Sequence, residues 1–457
     1  MKRFLTLLFA TLLLSAALCM SASASDFDAA AEDLSAIGMF RGTANGFELD
    51  RVPTRSEAAI MLVRLYGAEE DAKAAYASGE ISHPFTDVST FTSPYVAWLY
   101  TNGIANGTTA TTFGSANPCS AKMYCAFLLR ALGYQDGTDF QYADTLAFAQ
   151  SKGFYEPLMF SGDFLRDDLA ALTYQGLAAD LKDGSTYLLD SLVKSGAIDA
   201  GAAKPMTEKI EAYRGMEGAM AAMDETAVDL DIDMDMDMTM TADGETTKTP
   251  STSTGNMKIL VDGSDVQLAY VMKTSVEGVS MDTSMWMKDG WMYLSMGDGE
   301  DTMNIKYPVA DQLAALEGLG VVEVDAMDVS GLAMIDSLTA EKSGSDTVYT
   351  MVLSKNLGGL MGGVSELIGQ EADTGMDIGE IKAVLTVDRG GTLKKMAMTF
   401  SASMTMSLPM EDGTTVPMSM DYDYDMTMTV NATGKSVKIS FPDFSSFEEI
   451  DPAQLAA

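Results

Sequence analysis

The sequence predicts two structural classes joined end to end: an all-α segment of repeated helix pairs, then an α+β domain built on one strongly curved antiparallel sheet. Three observations carry this expectation. Over residues 26–200, glycines, aromatics and short apolar-periodic runs recur at matched intervals. From Val228 onward the pattern changes to strict alternation of apolar and polar residues. The chain's 457 residues are also enough for more than one hydrophobic core.

Taken in order, the first element is a leader. Met1-Lys2-Arg3 is basic, Phe4 to Leu18 is almost wholly apolar, and Ala22-Ser23-Ala24 has small residues flanking a cleavage point, so residues 1–24 read as a secretory signal peptide. Its apolar stretch is shorter than the roughly 20 residues a membrane span needs, and no later segment comes close. Leu18 precedes Cys19 where a lipoprotein signal wants a small residue, so the leader is read as the ordinary kind. The mature protein is expected to be exported. Cys119 and Cys125 are then its remaining cysteines, and they read as packed thiols rather than a disulfide framework or a metal pair.

The helical segment holds three copies of one unit, at about 26–68, 84–135 and 140–200. In the first, Gly38, Gly42 and Phe47 lead to Thr54-Arg55-Ser56-Glu57 and an apolar-periodic run from Ala58 to Leu65 that closes at Gly67. In the second, Gly103, Gly107, Phe113 and Gly133 follow the same course, and the interval from Phe47 to Gly67 equals that from Phe113 to Gly133. A weaker third copy has Gly153, Phe160 and Leu165-Arg166-Asp167-Asp168 ahead of Leu169 to Leu177. The physics of each copy is simple. A short helix ends at a glycine able to take the left-handed conformation, a loop carries an aromatic, and a capped second helix buries one stripe. Thr54 with Glu57 is a capping box. No single pair can bury its own stripe, so the copies must pack on one another.

At these residues the sequence resembles the S-layer homology (SLH) family. Phe85-Thr86-Asp87-Val88, Tyr95 and Trp98 ahead of Gly103-Ile104 match the usual opening of an SLH repeat, and Thr54-Arg55-Ser56-Glu57 stands for that family's Thr-Arg-Ala-Glu. The resemblance implies three repeats in a pseudo-trimeric bundle. It also implies binding to an acidic, often pyruvylated, secondary cell wall polymer attached to peptidoglycan. By the same resemblance Arg55 pairs with the polymer's carboxylate in a groove between repeats, while Glu57 orients it and caps the helix. The second copy reads Ser120-Ala121-Lys122-Met123, where only Lys122 supplies a cation, and the third keeps Arg166 in register with Arg55. The candidate polymer-binding residues are therefore Thr54, Arg55, Glu57, Trp98, Lys122 and Arg166, with at most two working grooves. As plain structure, the two arginines would be solvated first-turn residues and Trp98 a repeat-core aromatic.

The C-terminal half, 206–457, opens with a helix expected from Met206 to about Met223. Val228 to Met240 then alternates Val, Leu, Ile and Met with Asp and Thr, and Met420 to Val430 nearly repeats it. Further alternating runs lie at 266–272, 281–287, 291–296, 348–353, 381–387, 396–406 and 437–441, with turns at Asp289-Gly290 and Gly390-Gly391. The polar tract 243–255 reads as a hairpin tip, and the apolar segments 309–319, 329–338 and 357–368 read as helices. The hairpin Trp286-Met-Lys-Asp-Gly-Trp-Met-Tyr293 looks like the LolA-like family of unclosed barrels. That resemblance implies a non-catalytic domain whose concave face holds an apolar ligand or lipid.

Of 36 methionines, most fall on this domain's apolar faces. A soft core, an apolar ligand groove and capture of copper(I) by thioethers all stay open. The alternating aspartates at 229, 231, 233, 235 and 237 spread along a strand and do not wrap one ion, so they read as a solvated, aggregation-blocking face.

Charge and composition limit the function. Asp+Glu 66 against Lys+Arg 29 gives a net charge of −37, which repels nucleic acid. The single histidine, His83, in a loop, leaves most histidine-dependent catalysis and zinc chemistry without residues. No cofactor or metal is expected, and no enzyme. The expectation is an exported, cell-wall-attached protein of the S-layer surface whose β domain binds an apolar ligand, lipid or envelope partner. The alternative is an SLH-anchored hydrolase acting on wall or extracellular polysaccharide. It would draw on carboxylates such as Asp421, Asp423 and Asp425, which lie on the polar face of an alternating strand rather than in an aromatic-flanked cleft.

Overall fold

The computed structural model describes residues 27–160, 163–221, 227–242, 244–262, 265–298, 301–309, 329–354, 375–409 and 415–451. The expected leader, the helix expected at 357–368 and all but the first residue of that at 309–319 lie outside them. Among the described residues no helix is long and apolar enough to cross a membrane. The chain divides into two compact units: a helical one, Ser23–Tyr213 with Asp328–Asp336, and a sheet unit formed by Arg214–Met327 and Ser337–Ala457.

In the helical unit the three expected pairs are α1 (Asp28–Ala36) with α2 (Arg55–Leu65), α4 (Ser93–Thr101) with α5 (Ala121–Ala131), and α6 (Thr145–Ser151) with α7 (Arg166–Ala178). Between and after them run α3 (Glu69–Ser78), α8 (Leu188–Lys194) and α9 (Ala200–Ala221). The glycines foreseen as stops, Gly38, Gly67, Gly103, Gly133 and Gly153, all have left-handed φ, which spares a Cβ the clash any other residue would bring. The Thr54–Glu57 capping box is formed. Tyr95, Phe113, Tyr124, Leu128, Phe154 and Tyr174 are fully buried, so the copies fill one shared core. A 3-10 turn, Val329–Met334, packs on α1 and α7 with Leu332 and Ala333 buried.

Helix α9 begins before Pro205, earlier than the expected start at Met206. A proline six residues in forgoes one i→i−4 bond. Ala203 and Met206 are both buried, so packing holds the helix across it. Cys119 and Cys125 are buried free thiols; burial pushes Cys119 up to about 12 and Cys125 higher still.

Among the described residues the sheet unit is one thirteen-stranded, mostly antiparallel sheet in the order β13-β6-β5-β4-β3-β2-β1-β12-β11-β10-β8-β7, with β9 on β11. Among the described residues its two end strands, β13 and β7, do not pair with each other, so the sheet is unclosed. The centre is β1 (Ala227–Ala242), antiparallel to β2 (Glu245–Asp262) on one side and β12 (Thr415–Thr433) on the other. Beyond β2 lie β3 (Asp265–Val276), β4 (Val279–Lys288), β5 (Trp291–Gly297), β6 (Thr302–Pro308) and the parallel β13 (Glu448–Glu449). Beyond β12 lie β11 (Leu393–Pro409), β10 (Ile381–Val387), β8 (Asp346–Leu353) and β7 (Ile335–Ser343), and β9 is Gly375–Ile378.

Register puts the apolar members of each strand on one face. Met287 lies opposite both Leu268 and Met292, and these join Val228, Leu230, Ile259 and Val266 in a buried cluster. On the other face Asp231, Asp233, Asp235, Asp421, Asp423 and Asp425 are exposed, as alternation requires. Asp289 and Gly290 both take positive φ, the two-residue turn that matches strand twist.

Three expectations are corrected here. The tract expected as a hairpin tip is strand β2 itself, paired residue for residue with β1 from Ala242 opposite Glu245. Its threonines favour extended backbone. Pro250 is tolerated because β3 begins pairing only at Ser251, leaving β2 one neighbour there. The segment 329–338 is a 3-10 turn running into β7, because Val, Ser and Gly at its start are weak helix formers. The run 437–441 joins no strand. It leads instead into an aromatic strap, with Phe444 stacked 3.7 Å from Tyr293 and both Phe444 and Phe447 edge-on to Trp286.

Candidate functional site

The N-termini of the second helices, α2, α5 and α7, carry the candidate cations, and each reaches into the following repeat. At α2, backbone N–H groups of Arg55 and Ser56 donate to the carbonyls of Asn117 and Ser115 in the second repeat's loop. At α7, those of Arg166 and Asp167 donate to the carbonyls of Arg51 and Leu49 in the first repeat's loop. At α5, Lys122 Nζ donates to the Ala143 carbonyl at 2.9 Å and lies 5.7 Å from the Tyr142 ring, just ahead of α6. Repeat one thus touches two, two touches three, and three touches one.

The three junctions differ in charge. Arg166 is 4% exposed. Its Nε donates to the Phe47 carbonyl at 2.8 Å, its Nη1 to Glu57 Oε1 at 2.7 Å and its Nη2 to the Arg41 carbonyl at 3.4 Å, over the Phe40 ring. Arg166 is therefore held as a structural clamp: three of its five N–H groups are engaged within the protein, and its burial leaves little surface to offer the polymer it was expected to serve. Glu57 caps α2 as expected, accepting from the Thr54 backbone N–H at 2.7 Å. It does not orient Arg55, since its oxygens are taken by Arg51 and Arg166. Burial alone would raise its pKa, but the Arg51 hydrogen bonds, the Thr54 N–H and the Arg166 charge outweigh this and hold it at about 2. Thr54 is consumed in the same box.

Arg55 is half-buried and forms no ion pair with a described carboxylate. Its guanidinium lies 4.7 Å over the Phe113 ring, Nη2 donates to the Asn106 carbonyl at 2.8 Å, and Nη1 reaches Met123 Sδ at 3.7 Å. Its Nε is buried without a partner. Burial lowers its pKa, yet a guanidinium stays charged at any physiological pH. Lys122 likewise has no described carboxylate on it. Both are uncompensated cations in a chain of net charge −37.

Asp87 fixes the floor of the Arg55 junction, accepting from the backbone N–H groups of Phe113, Gly114 and Ser115 at 2.7, 2.7 and 3.0 Å. Gly107 lets that loop close, because a Cβ there would stand 2.3 Å from the Phe85 ring and 2.5 Å from two threonine carbonyl oxygens. Trp98 is half-buried, its ring 5.5 Å from that of Tyr66, and the charge of Arg130 acts on both Tyr66 and Arg55. His83 stacks between Tyr76 and Phe85, and burial, its largest influence, lowers its pKa.

The sequence singled out the cations but not their surroundings. Phe113 was foreseen only as a buried aromatic, and Asp87 only as part of a motif. Asn106, Tyr142 and Arg51 carried no signal, because they act through a carbonyl, a ring face and a contact made only after folding.

The family comparison falls on this junction. Residues 84–120 match the S-layer homology domain model. The match spans the second repeat through Asp87, Trp98, Gly107 and Phe113 to the cap of α5. No curated protein matches the chain.

Among solved structures, a DUF1329 family protein from Desulfovibrio piger is 11% identical, covering 52% of this chain and 95% of its own, with a TM-score of 0.17. A putative outer membrane lipoprotein-sorting protein domain from Vibrio parahaemolyticus is 13% identical, covering 51% and 97%, with a TM-score of 0.15. The ywiB protein from Bacillus subtilis is 12% identical, covering 44% and 95%, with a TM-score of 0.11. At such TM-scores these likenesses carry no argument. The unclosed sheet expected of the C-terminal half rests on the strand register itself.

Proposed function

We propose that this is an exported, surface-attached protein. Its three helical repeats form a pseudo-trimeric bundle that binds an acidic, pyruvylated secondary cell wall polymer at the junctions holding Arg55 and Lys122. The single observation that carries this reading is Arg55: a half-buried guanidinium, seated on Phe113 and without a described carboxylate partner. A cation held this way has already lost part of its hydration and keeps donors for a ligand carboxylate, a charge-assisted pair suited to the guanidinium fork. Support for the bundle comes from the hand-over of contacts through all three repeats, and for the polymer class from the S-layer homology match at 84–120. Trp98 and Tyr66 supply an aromatic surface for a sugar ring on the Arg55 side, where the charge of Arg130 acts on both Tyr66 and Arg55.

The sheet unit is proposed to be non-catalytic and to take an apolar ligand, a lipid or an envelope partner. Support comes from the half-buried residues Met236, Met238, Met240, Met420, Tyr422 and Tyr424, which share the sheet's apolar face. Asp421, Asp423 and Asp425 stand exposed on the opposite face.

The test is co-sedimentation of the mature protein with purified cell walls. Loss of one charge-assisted contact is worth about 1.5–3 kcal/mol, so Arg55→Ala should weaken binding roughly ten- to hundredfold. Unchanged binding with both Arg55 and Lys122 replaced by alanine would remove the assignment.

A further inference from the structure

We propose that the sheet unit carries a thioether site for a soft monovalent cation, copper(I), formed by Met234 and Met426 with Met236 completing the set. Met234 on β1 lies directly opposite Met426 on β12, and Met236 directly opposite Tyr424. The four residues occupy one face of two adjacent strands. The Tyr424 hydroxyl stands 3.2 Å from Met234 Sδ and 3.5 Å from Met426 Sδ. One hydroxyl has one proton, so two sulfurs turn their lone pairs towards a point where a single donor satisfies only one of them. A thioether is a weak hydrogen-bond acceptor and a good soft-metal ligand. An ion at that point would satisfy both sulfurs together, and the hydroxyl would turn away.

The surroundings favour a cation of this class. Met426 is buried while Met234 and Met236 are half-buried, giving a dry inner ligand and an accessible outer pair. Asp233, Asp235 and Asp425 project from the opposite face of the same two strands and make the local field negative without offering oxygen ligands to the site. Among the described residues no cluster of His, Cys, Asp or Glu could hold a metal, so harder cations have no competing site there. The two thiols that would rival a thioether set, Cys119 and Cys125, are buried and held protonated by that burial. The inference does not rest on the apolar-ligand reading of the sheet: the two share Met236 and Tyr424, but this one concerns a different ligand and is read out by copper, which a bound lipid does not report.

The experiment titrates the full mature chain with copper(I) under anoxia, in competition with bicinchoninate, and records the copper X-ray absorption of the loaded protein. Expected are one tightly held copper(I) per chain, a sulfur-only coordination shell, and at least a tenfold loss of affinity in Met234→Leu/Met236→Leu/Met426→Leu. These swaps nearly conserve volume and leave the fold standing. Tyr424→Phe, which removes only the competing hydroxyl, should bind at least as tightly as wild type. Absence of competition with bicinchoninate, nitrogen or oxygen ligands in the spectrum, equal affinity in the triple variant, or weakened binding in Tyr424→Phe would each overturn the site.

Discussion

Two arginines at the same place in their repeats have opposite fates, and the neighbours decide which. Arg166 meets Glu57 and two backbone carbonyls in a buried junction, while Arg55 meets a ring face, one carbonyl and a thioether sulfur. Arg166→Ala takes the side-chain donor from the Phe47 and Arg41 carbonyls and one of two guanidiniums from Glu57, which keeps Arg51, so it should destabilise the helical unit by about 2–3 kcal/mol in urea unfolding. Arg55→Ala should cost about 1 kcal/mol or less, because it gives up only an exposed hydrogen bond and a cation–π contact. A larger loss for Arg55 than for Arg166 would reverse the roles assigned to them. Glu57 and Glu69 make the same unit sensitive to acid. Against burial, which alone would raise both, Arg51, Thr54 and Arg166 hold Glu57, and Tyr95, Lys73 and Arg64 hold Glu69, at about 2 against an ordinary 4.5. Their stabilisation is complete above the ordinary value and is lost as pH falls from there through about 2. Thermal midpoints at pH 5, 4, 3 and 2 should therefore drop progressively, and Glu57→Gln should flatten part of that slope.

At the level of elements, the loop of the second repeat is set by contacts distant in sequence: Asp87 holds three successive N–H groups and Gly107 admits the Phe85 ring. Gly107→Ala should displace Phe113 from beneath Arg55 and cut wall binding as Arg55→Ala does, whereas Gly79→Ala, at a left-handed glycine with open space around it, should leave wall binding intact. Cell-wall co-sedimentation of the two variants side by side checks this. Across the sheet, the strap from Phe441 to Phe447 covers Trp286 and Tyr293, so Phe444→Ala should expose the C-terminal residues to protease while leaving the sheet folded. Helix stops, the capping box and strand alternation were legible in the sequence because each is settled by residues a turn or a pleat apart. The strap was misread because Val437 to Phe441 alternates like a strand, and alternation says nothing about whether a partner strand is present. Residues 243–255 were misread for the converse reason, since polarity marks loops only when neither neighbour offers a ladder. The loss of Arg166 to Glu57 was invisible because it joins the first and third repeats, a closure that no local pattern encodes.

For the whole molecule, the charge of −37 and the anionic ligand proposed for it oppose each other. Long-range attraction therefore does not bring the two together, and binding depends on local contacts at two junctions. Added salt should weaken binding little up to physiological strength, since screening of the bulk repulsion offsets loss at the site. The most direct test of this account is calorimetric titration of the mature protein with purified wall polymer, native and with its pyruvate removed, for wild type and for Arg55→Ala/Lys122→Ala. The account predicts that the wild type binds the native polymer, and that losing the pyruvate or losing the two cations weakens binding at least tenfold with no further loss when combined. Equal affinity of the wild type for both polymers, or additive losses, would contradict it.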